Sequence, residues 1–301
     1  MVKHFLLFVI VLITHTLLAQ DYVDIATIDY GTILGSGYED SDETTDVTLF
    51  NAGITYPIKM SERTAIVTGI NYSQNSLSLA PQAPSVTLNT AILKLGLNMK
   101  HNEKWSGTYL FLPKIASQDF RTNGNSFFFG GLVLLKYQKT DNFQYRLGAY
   151  ASSEGFGMIT TPVLGLYYTS KNEKFEATVN LPINADLNYS LGDNSSFGLA
   201  FQAPVRSFSL FDENENQNAY VQVSNIEIGP YFQYKVLDQS LLLRLQAGYS
   251  TVSYEAFEEG DILPIRLSAI EFGDDRNLLN PEMTGSYFVK VGAIYRFYLN
   301  K

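Results

Sequence analysis

The chain has 301 residues, with 21 Lys plus Arg against 30 Asp plus Glu and a formal charge of −9; 46% is hydrophobic and only 17% charged. It contains no Cys, and 14% of it is aromatic. This composition excludes a disordered chain, a disulfide scaffold, a thiolate metal site and a basic nucleic-acid binder.

Residues 1–19 read as an export signal. Lys3 and His4 give a basic start, 5–13 is an unbroken apolar run, and Leu17 and Leu18 lead to cleavage after Ala19. The apolar run is shorter than the roughly 20 residues that span a bilayer as a helix. The mature domain is then 20–301, and loss of Lys3 makes it one unit more negative than −9.

From residue 22 onward, apolar and polar residues alternate with period two, which sends them to opposite faces of a strand. The pattern predicts strands at 22–33, 45–57, 64–78, 86–99, 105–116 and 126–138. More follow at 143–152, 162–170, 175–181, 185–191, 196–206, 219–235, 241–250 and 285–299. In the last of these, Tyr287, Val289, Val291, Ala293, Tyr295 and Phe297 share one face, against Ser286, Lys290, Gly292 and Arg296. Helical spacing would drop Lys290 and Arg296 among the apolar residues. Aromatic and β-branched residues fill the segments, which favours strands. The total is about fourteen, or twelve without the tight pair at 175–181 and 185–191.

The links sort by parity. Those after odd-numbered strands are long and acidic: 35–44, 117–125, 153–161, 211–218 and 255–283. Those after even-numbered strands are short and polar: 59–63, 101–104, 139–142, 171–174, 192–195 and 237–240. A soluble sandwich has no reason to sort its links this way. An outer-membrane barrel has short periplasmic turns and longer extracellular loops. The expected fold is therefore an all-β, transmembrane, antiparallel up-and-down β-barrel.

In such a barrel the apolar face meets lipid and the polar face lines the lumen. Aromatics such as Tyr56, Trp105, Tyr137, Tyr168 and Tyr234 fall near strand ends, where an interfacial girdle lies. The residues expected to line the lumen are Lys94, Lys114, Lys136, Arg146, Glu176, Arg206, Glu227, Arg244, Lys290 and Arg296. They would pair across strands, with a cationic excess, and either rest in lumen water or bias permeation.

Glu39, Asp40, Asp42 and Glu43 form one acidic group, and Asp212, Glu213 and Glu215 another. Neither matches an EF-hand loop, so solvated, mutually repelling loops are the favoured reading. Link 255–283 carries Phe257, Ile262, Leu263, Ile265, Leu267, Ile270 and Phe272, too apolar and long for a passive connector. It is expected to fold over or into the barrel mouth; the alternative is an extra hairpin above the membrane.

No nucleophile elbow, zincin helix or phosphate-binding glycine loop occurs, and His101, the one mature histidine, falls in a predicted turn. No catalytic residue, cofactor or metal is expected.

Thr55-Tyr56-Pro57-Ile58-Lys59 with Thr68-Gly69-Ile70-Asn71-Tyr72 resembles the first hairpin of an uncharacterised barrel family of the Bacteroidota, a domain of unknown function. Gly130-Gly131-Leu132-Val133 and Asn180-Leu181-Pro182 running into Asn188-Tyr189-Ser190-Leu191 are similar to it as well. The resemblance implies an outer-membrane barrel and no catalytic residues. The expected function is a passive or weakly selective channel for a small solute. The alternatives are a closed barrel acting through its acidic loops, and a secreted soluble β protein binding an apolar ligand. The expected partners are outer-membrane lipid and lipopolysaccharide, the barrel-assembly machinery and no nucleic acid, with the oligomeric state open.

Overall fold

The structure, a computed structural model, describes residues 22–122, 124–211, 218–268 and 270–298. The export signal at 1–19 and the acidic group Asp212, Glu213 and Glu215 lie outside the described residues.

The strands in chain order are β1 (Tyr22–Tyr38), β2 (Ser41–Lys59), β3 (Thr64–Leu77), β4 (Val86–Lys100), β5 (Trp105–Gln118), β6 (Phe127–Thr140) and β7 (Phe143–Glu154). Next come β8 (Gly157–Thr169), β9 (Phe175–Leu181), β10 (Asn184–Ser190), β11 (Ser195–Gln202), β12 (Arg206–Leu210) and β13 (Ala219–Val223). The last are β14 (Ile226–Val236), β15 (Leu241–Thr251), β16 (Tyr254–Glu258), β17 (Ile265–Leu267), β18 (Ile270–Phe272) and β19 (Ser286–Tyr298).

Fourteen of these close an antiparallel barrel. Each strand from β1 to β11 pairs with the next; β11 then pairs with β14, β14 with β15, β15 with β19, and β19 returns to β1. The short pair β9 and β10 belongs to the wall, so the count is fourteen and not twelve. Closure gives nearly every wall strand a partner on both sides.

The wall turns its apolar face outward. Ile54, Leu147, Phe129, Leu245 and Val291 are each about half exposed or more, while the residues between them are covered. A soluble barrel would bury these side chains, and water-soluble monomers rarely expose apolar patches beyond a few hundred Å². Aromatics gather at the end carrying the short turns. Trp105 lies 5.0 Å from Tyr137, and Phe143 contacts Tyr145 and Tyr168, which reaches Phe175. Phe111 with Phe129 and Tyr249 with Tyr287 form pairs towards the loop end.

Several links differ from the sequence pattern. Residues 35–44 and 153–161 are not long loops: β1 and β2 meet across residues 39–40, and β7 and β8 across 155–156. The strands simply continue past the apolar belt in polar residues. At 196–206 the wall strand ends at Gln202, because Pro204 has no N–H for a ladder. Segment 219–235 is broken at Ser224 and Asn225 into β13 and β14. The Asn225 side chain accepts from Ser253 N at 2.8 Å, holding the break.

The links at 203–225 and 252–285 supply an inner sheet, in which β12 pairs with β13 and β13 with β16. Phe208, Val221, Val223, Val252, Tyr254 and Ala256 pack with Ile33, Val47, Leu49, Leu77, Leu88 and Phe128 of the wall, all 6% exposed or less. Those wall residues alternate with exposed ones, so the inner sheet is inside the barrel. The inner face, which alternation suggested to be polar throughout, is thus mostly polar in the turn half, with Leu242 among the exceptions. In the loop half, apolar residues covered by the inner sheet are interspersed with buried polar ones such as Asn75, Lys114 and Glu154.

Candidate functional site

The barrel interior has two parts. In the loop half, the inner sheet is anchored by a buried charge. Glu154 Oε2 accepts from Ser207 N at 2.8 Å and Ser207 Oγ at 2.9 Å, and Oε1 accepts from Ser152 Oγ at 2.8 Å and pairs with Lys114. The Glu154 side chain is fully covered and that of Lys114 nearly so. Arg206 does not belong to a wall strand. It lies on β12, beyond the end of β11, and donates from Nη1 to Ser73 Oγ of the wall at 2.6 Å.

In the turn half, charged side chains brace the wall from inside. Arg296 donates from Nε to Asp24 Oδ1 at 2.7 Å, and its guanidinium lies 3.4 Å from the centre of the Tyr22 ring. The Tyr22 hydroxyl donates to Glu176 Oε1 at 2.5 Å, and the other Glu176 oxygen accepts from Tyr167 at 2.9 Å. Arg146 lies over the Tyr167 ring and donates to Asn180 Oδ1 at 3.3 Å. This chain of contacts runs from β19 and β1 to β9, β8 and β7.

A second group joins β15 to β10. Arg244 Nη1 meets Asp186 Oδ2 at 2.9 Å, and its guanidinium is 3.7 Å from the Tyr231 ring centre. Tyr231 donates to Asp186 at 2.6 Å and accepts from Asn188 at 2.8 Å. The phenol reaches both because it lies flat over Gly198, where a Cβ would stand 2.3 Å from the Tyr231 ring. Elsewhere Lys290 pairs with Glu227, Lys94 donates to Thr55 Oγ1 at 2.7 Å, and Asn51 donates to Asp29 at 3.0 Å. Lys136 lies directly opposite Arg146 in the ladder and has no carboxylate partner among the described residues.

Nine of the ten residues singled out in the sequence are therefore on wall strands, and the structure brings most of them against a partner. Four interior acids were missed: Asp24, Asp29, Glu154 and Asp186. Alternation places Asp29 and Asp186 on the polar face, but Asp24 reaches it only through a bulge between Asp24 and Ala26, and Glu154 falls in a predicted link. The ladder register pairs Asp24 with Arg296, and only the closed wall brings Asp186 to Arg244. With these acids counted, the cationic excess largely disappears.

The long link after β15 carries its own ionic cluster. Arg276 Nη2 meets Asp274 at 2.8 Å, Nη1 donates to Tyr220 OH at 3.0 Å, and the guanidinium lies 3.8 Å from the Phe257 ring centre. The hydrogen bond from Arg276 holds the Asp274 carboxyl well below the usual carboxylate range, and burial pushes the Tyr220 phenol up. Among the described residues no group of His, Cys, Asp and Glu side chains has the geometry of a metal site.

Residues 17–295 match a family described as a domain of unknown function, DUF6268. The chain belongs to that family. No curated protein matches the chain of this DUF6268 member. Among solved structures, it is similar to an outer membrane channel of Pseudomonas putida F1, at 8% identity and a TM-score of 0.44, covering 92% of this chain and 96% of that one. It is also similar to the toluene transporter TodX of P. putida, at 9% identity and a TM-score of 0.39, covering 91% and 89%. A third is the NanC porin, at 7% identity and a TM-score of 0.37, covering 90% and 98%.

Proposed function

We propose that this chain is an outer-membrane channel that passes small polar solutes passively through its axis. The observation that carries the reading is the polar interior of the turn half of a fourteen-strand wall. About eight strands make a barrel that its own side chains can fill, and fourteen enclose more. Here the inner sheet packs apolar side chains in the loop half, while hydrogen-bonded polar and charged groups such as Arg296, Arg244 and Glu176 occupy the turn half and would line a path along the axis. On this reading the export signal is removed after Ala19, the short turns face the periplasm, and the loop end faces outward into lipopolysaccharide. The barrel-assembly machinery inserts the chain, and the lumen residues, Lys94 and Lys136 among them, bias which solutes pass. The chain performs no catalysis.

Swelling of liposomes containing the purified barrel, challenged with sugars and amino acids of graded size, tests this. Swelling that falls off with solute size is expected; no swelling with any solute would defeat the reading. A second reading, a closed barrel that binds partners through its acidic loops, draws support from the dry core between the inner sheet and the wall. Under that reading the liposomes stay silent.

A further inference from the structure

Wall strands β9 and β10 have seven residues each. At about 3.3 Å per residue and a tilt near 40°, seven residues rise roughly 18 Å. The apolar band of an outer-membrane barrel is about 25 Å tall. The wall is too low here to cross that band. Next to it, β8 has thirteen residues, but its ladder with β9 begins only at Leu164, so residues 157–163 present an edge with no neighbouring barrel strand.

The β17–β18 hairpin occupies part of this opening. Arg266 and Leu267 pair with Ile159 and Thr160 of β8, and Ser268 N donates to Thr160 O at 3.0 Å. Ile265, Leu267, Ile270 and Phe272 are between 40% and 62% exposed. Arg266, between two of them, is buried; it meets Glu271 at 2.5 Å and donates to Ser224 Oγ at 2.8 Å. Water would favour the opposite arrangement, with charge outside and apolar groups within. Lipid favours this one, and the hairpin's apolar side continues the outer face of the wall.

The hairpin is held more weakly than the wall around it. It has two ladder pairs on one edge, whereas β7 and β8 share a ladder from Phe143 to Glu154. On its other side β18 pairs with no strand among the described residues except β17. Segments with few ladder bonds open at the least free-energy cost. Behind the hairpin lies a buried apolar cluster of Phe156, Ile159, Tyr220, Phe257 and Leu263.

We propose that β17–β18 is a movable panel over a side opening in the wall, and that small apolar molecules pass through it between the barrel interior and the outer leaflet. The proposal rests on the channel reading and adds a lateral route for a second class of solute.

The chain has no Cys, so a panel can be locked without background. Thr160→Cys with Leu267→Cys places two thiols at paired positions across the β8–β17 ladder. The probe is N-phenyl-1-naphthylamine, which fluoresces on entering membranes, added to Gram-negative cells carrying the protein. Wild-type protein is expected to speed probe uptake, oxidation of the double variant to abolish the gain, and dithiothreitol to restore it. Arg266→Ala, which removes the inner latch and leaves the ladder, should speed uptake further. Heat-modifiable gel mobility checks that each variant folds. Uptake unchanged by both the lock and Arg266→Ala overturns the proposal. Sugar-driven swelling of liposomes with the oxidised variant should persist; its absence in wild type as well defeats the axial channel, whatever the panel does.

Discussion

Tyr22, at the start of β1, and Glu176, in β9, belong to strands on opposite sides of the fourteen-stranded wall, and their side chains meet at 2.5 Å. A bond across the barrel at this level divides the turn end of the lumen. The Tyr22 ring is itself held by Arg296, which Asp24 clamps through both carboxylate oxygens.

Tyr22→Phe keeps the ring against Arg296 and removes only the hydroxyl that reaches Glu176. We expect larger single-channel conductance in planar bilayers. A hydrogen bond to a charged group contributes about 1.5–3 kcal/mol, so the urea midpoint should fall slightly. Conductance equal to wild type would show that the crossbar does not limit the path.

Glu154 secures the inner sheet, and its loss leaves Lys114 buried without its anion. Removing one member of such a pair costs about 3–5 kcal/mol, whereas replacing both by apolar residues is close to neutral. Glu154→Gln should therefore loosen the inner sheet and raise conductance with frequent flicker. Adding Lys114→Met should recover much of the stability. Equal stability of the single and double variants would contradict the anchoring role.

Deletion of 262–272 removes the hairpin and the apolar residues before it. Because the hairpin lies beside β8 in the side of the wall, its loss should open the barrel there and raise conductance; an unchanged value would show that it closes no path.

Lys136 faces Arg146 across one ladder position, and like charges placed directly opposite are unfavourable. Lys136→Glu replaces this with an attractive pair and changes the lumen by two charge units. The reversal potential in a KCl gradient should shift towards cation preference. No shift would place Lys136 off the ion path.

Gly198 is the floor under Tyr231. Any side chain there meets the phenol and the Leu187 carbonyl oxygen, at 2.3 Å and 2.4 Å from the Cβ. Overpacking of this kind costs about 1–3 kcal/mol, and Tyr231 must also give up Asp186 and Asn188. Gly198→Val should lower the temperature at which the barrel loses its folded mobility in SDS gels. Gly192, in a turn with open space around it, should tolerate the same change.

The sequence by itself determined most of the wall strands and the two faces of each, because period-two alternation is a local property that survives without knowledge of partners. It left the count at twelve or fourteen until β9 and β10 were found in the wall. It also marked most of the interior charges, since a charged residue on the polar face has one direction to point. It could not determine what fills the loop half. Val47, Leu49 and Phe128 look like ordinary strand residues until the inner sheet covers them. Nor could it distinguish the wall strand β11 from the inner strand β12, or find that β17 would pair with β8. Those choices depend on contacts between residues as far apart as Glu154 and Ser207, or Tyr22 and Glu176. Such contacts exist only once the wall has closed, and so only the tertiary structure decided how the lumen is divided.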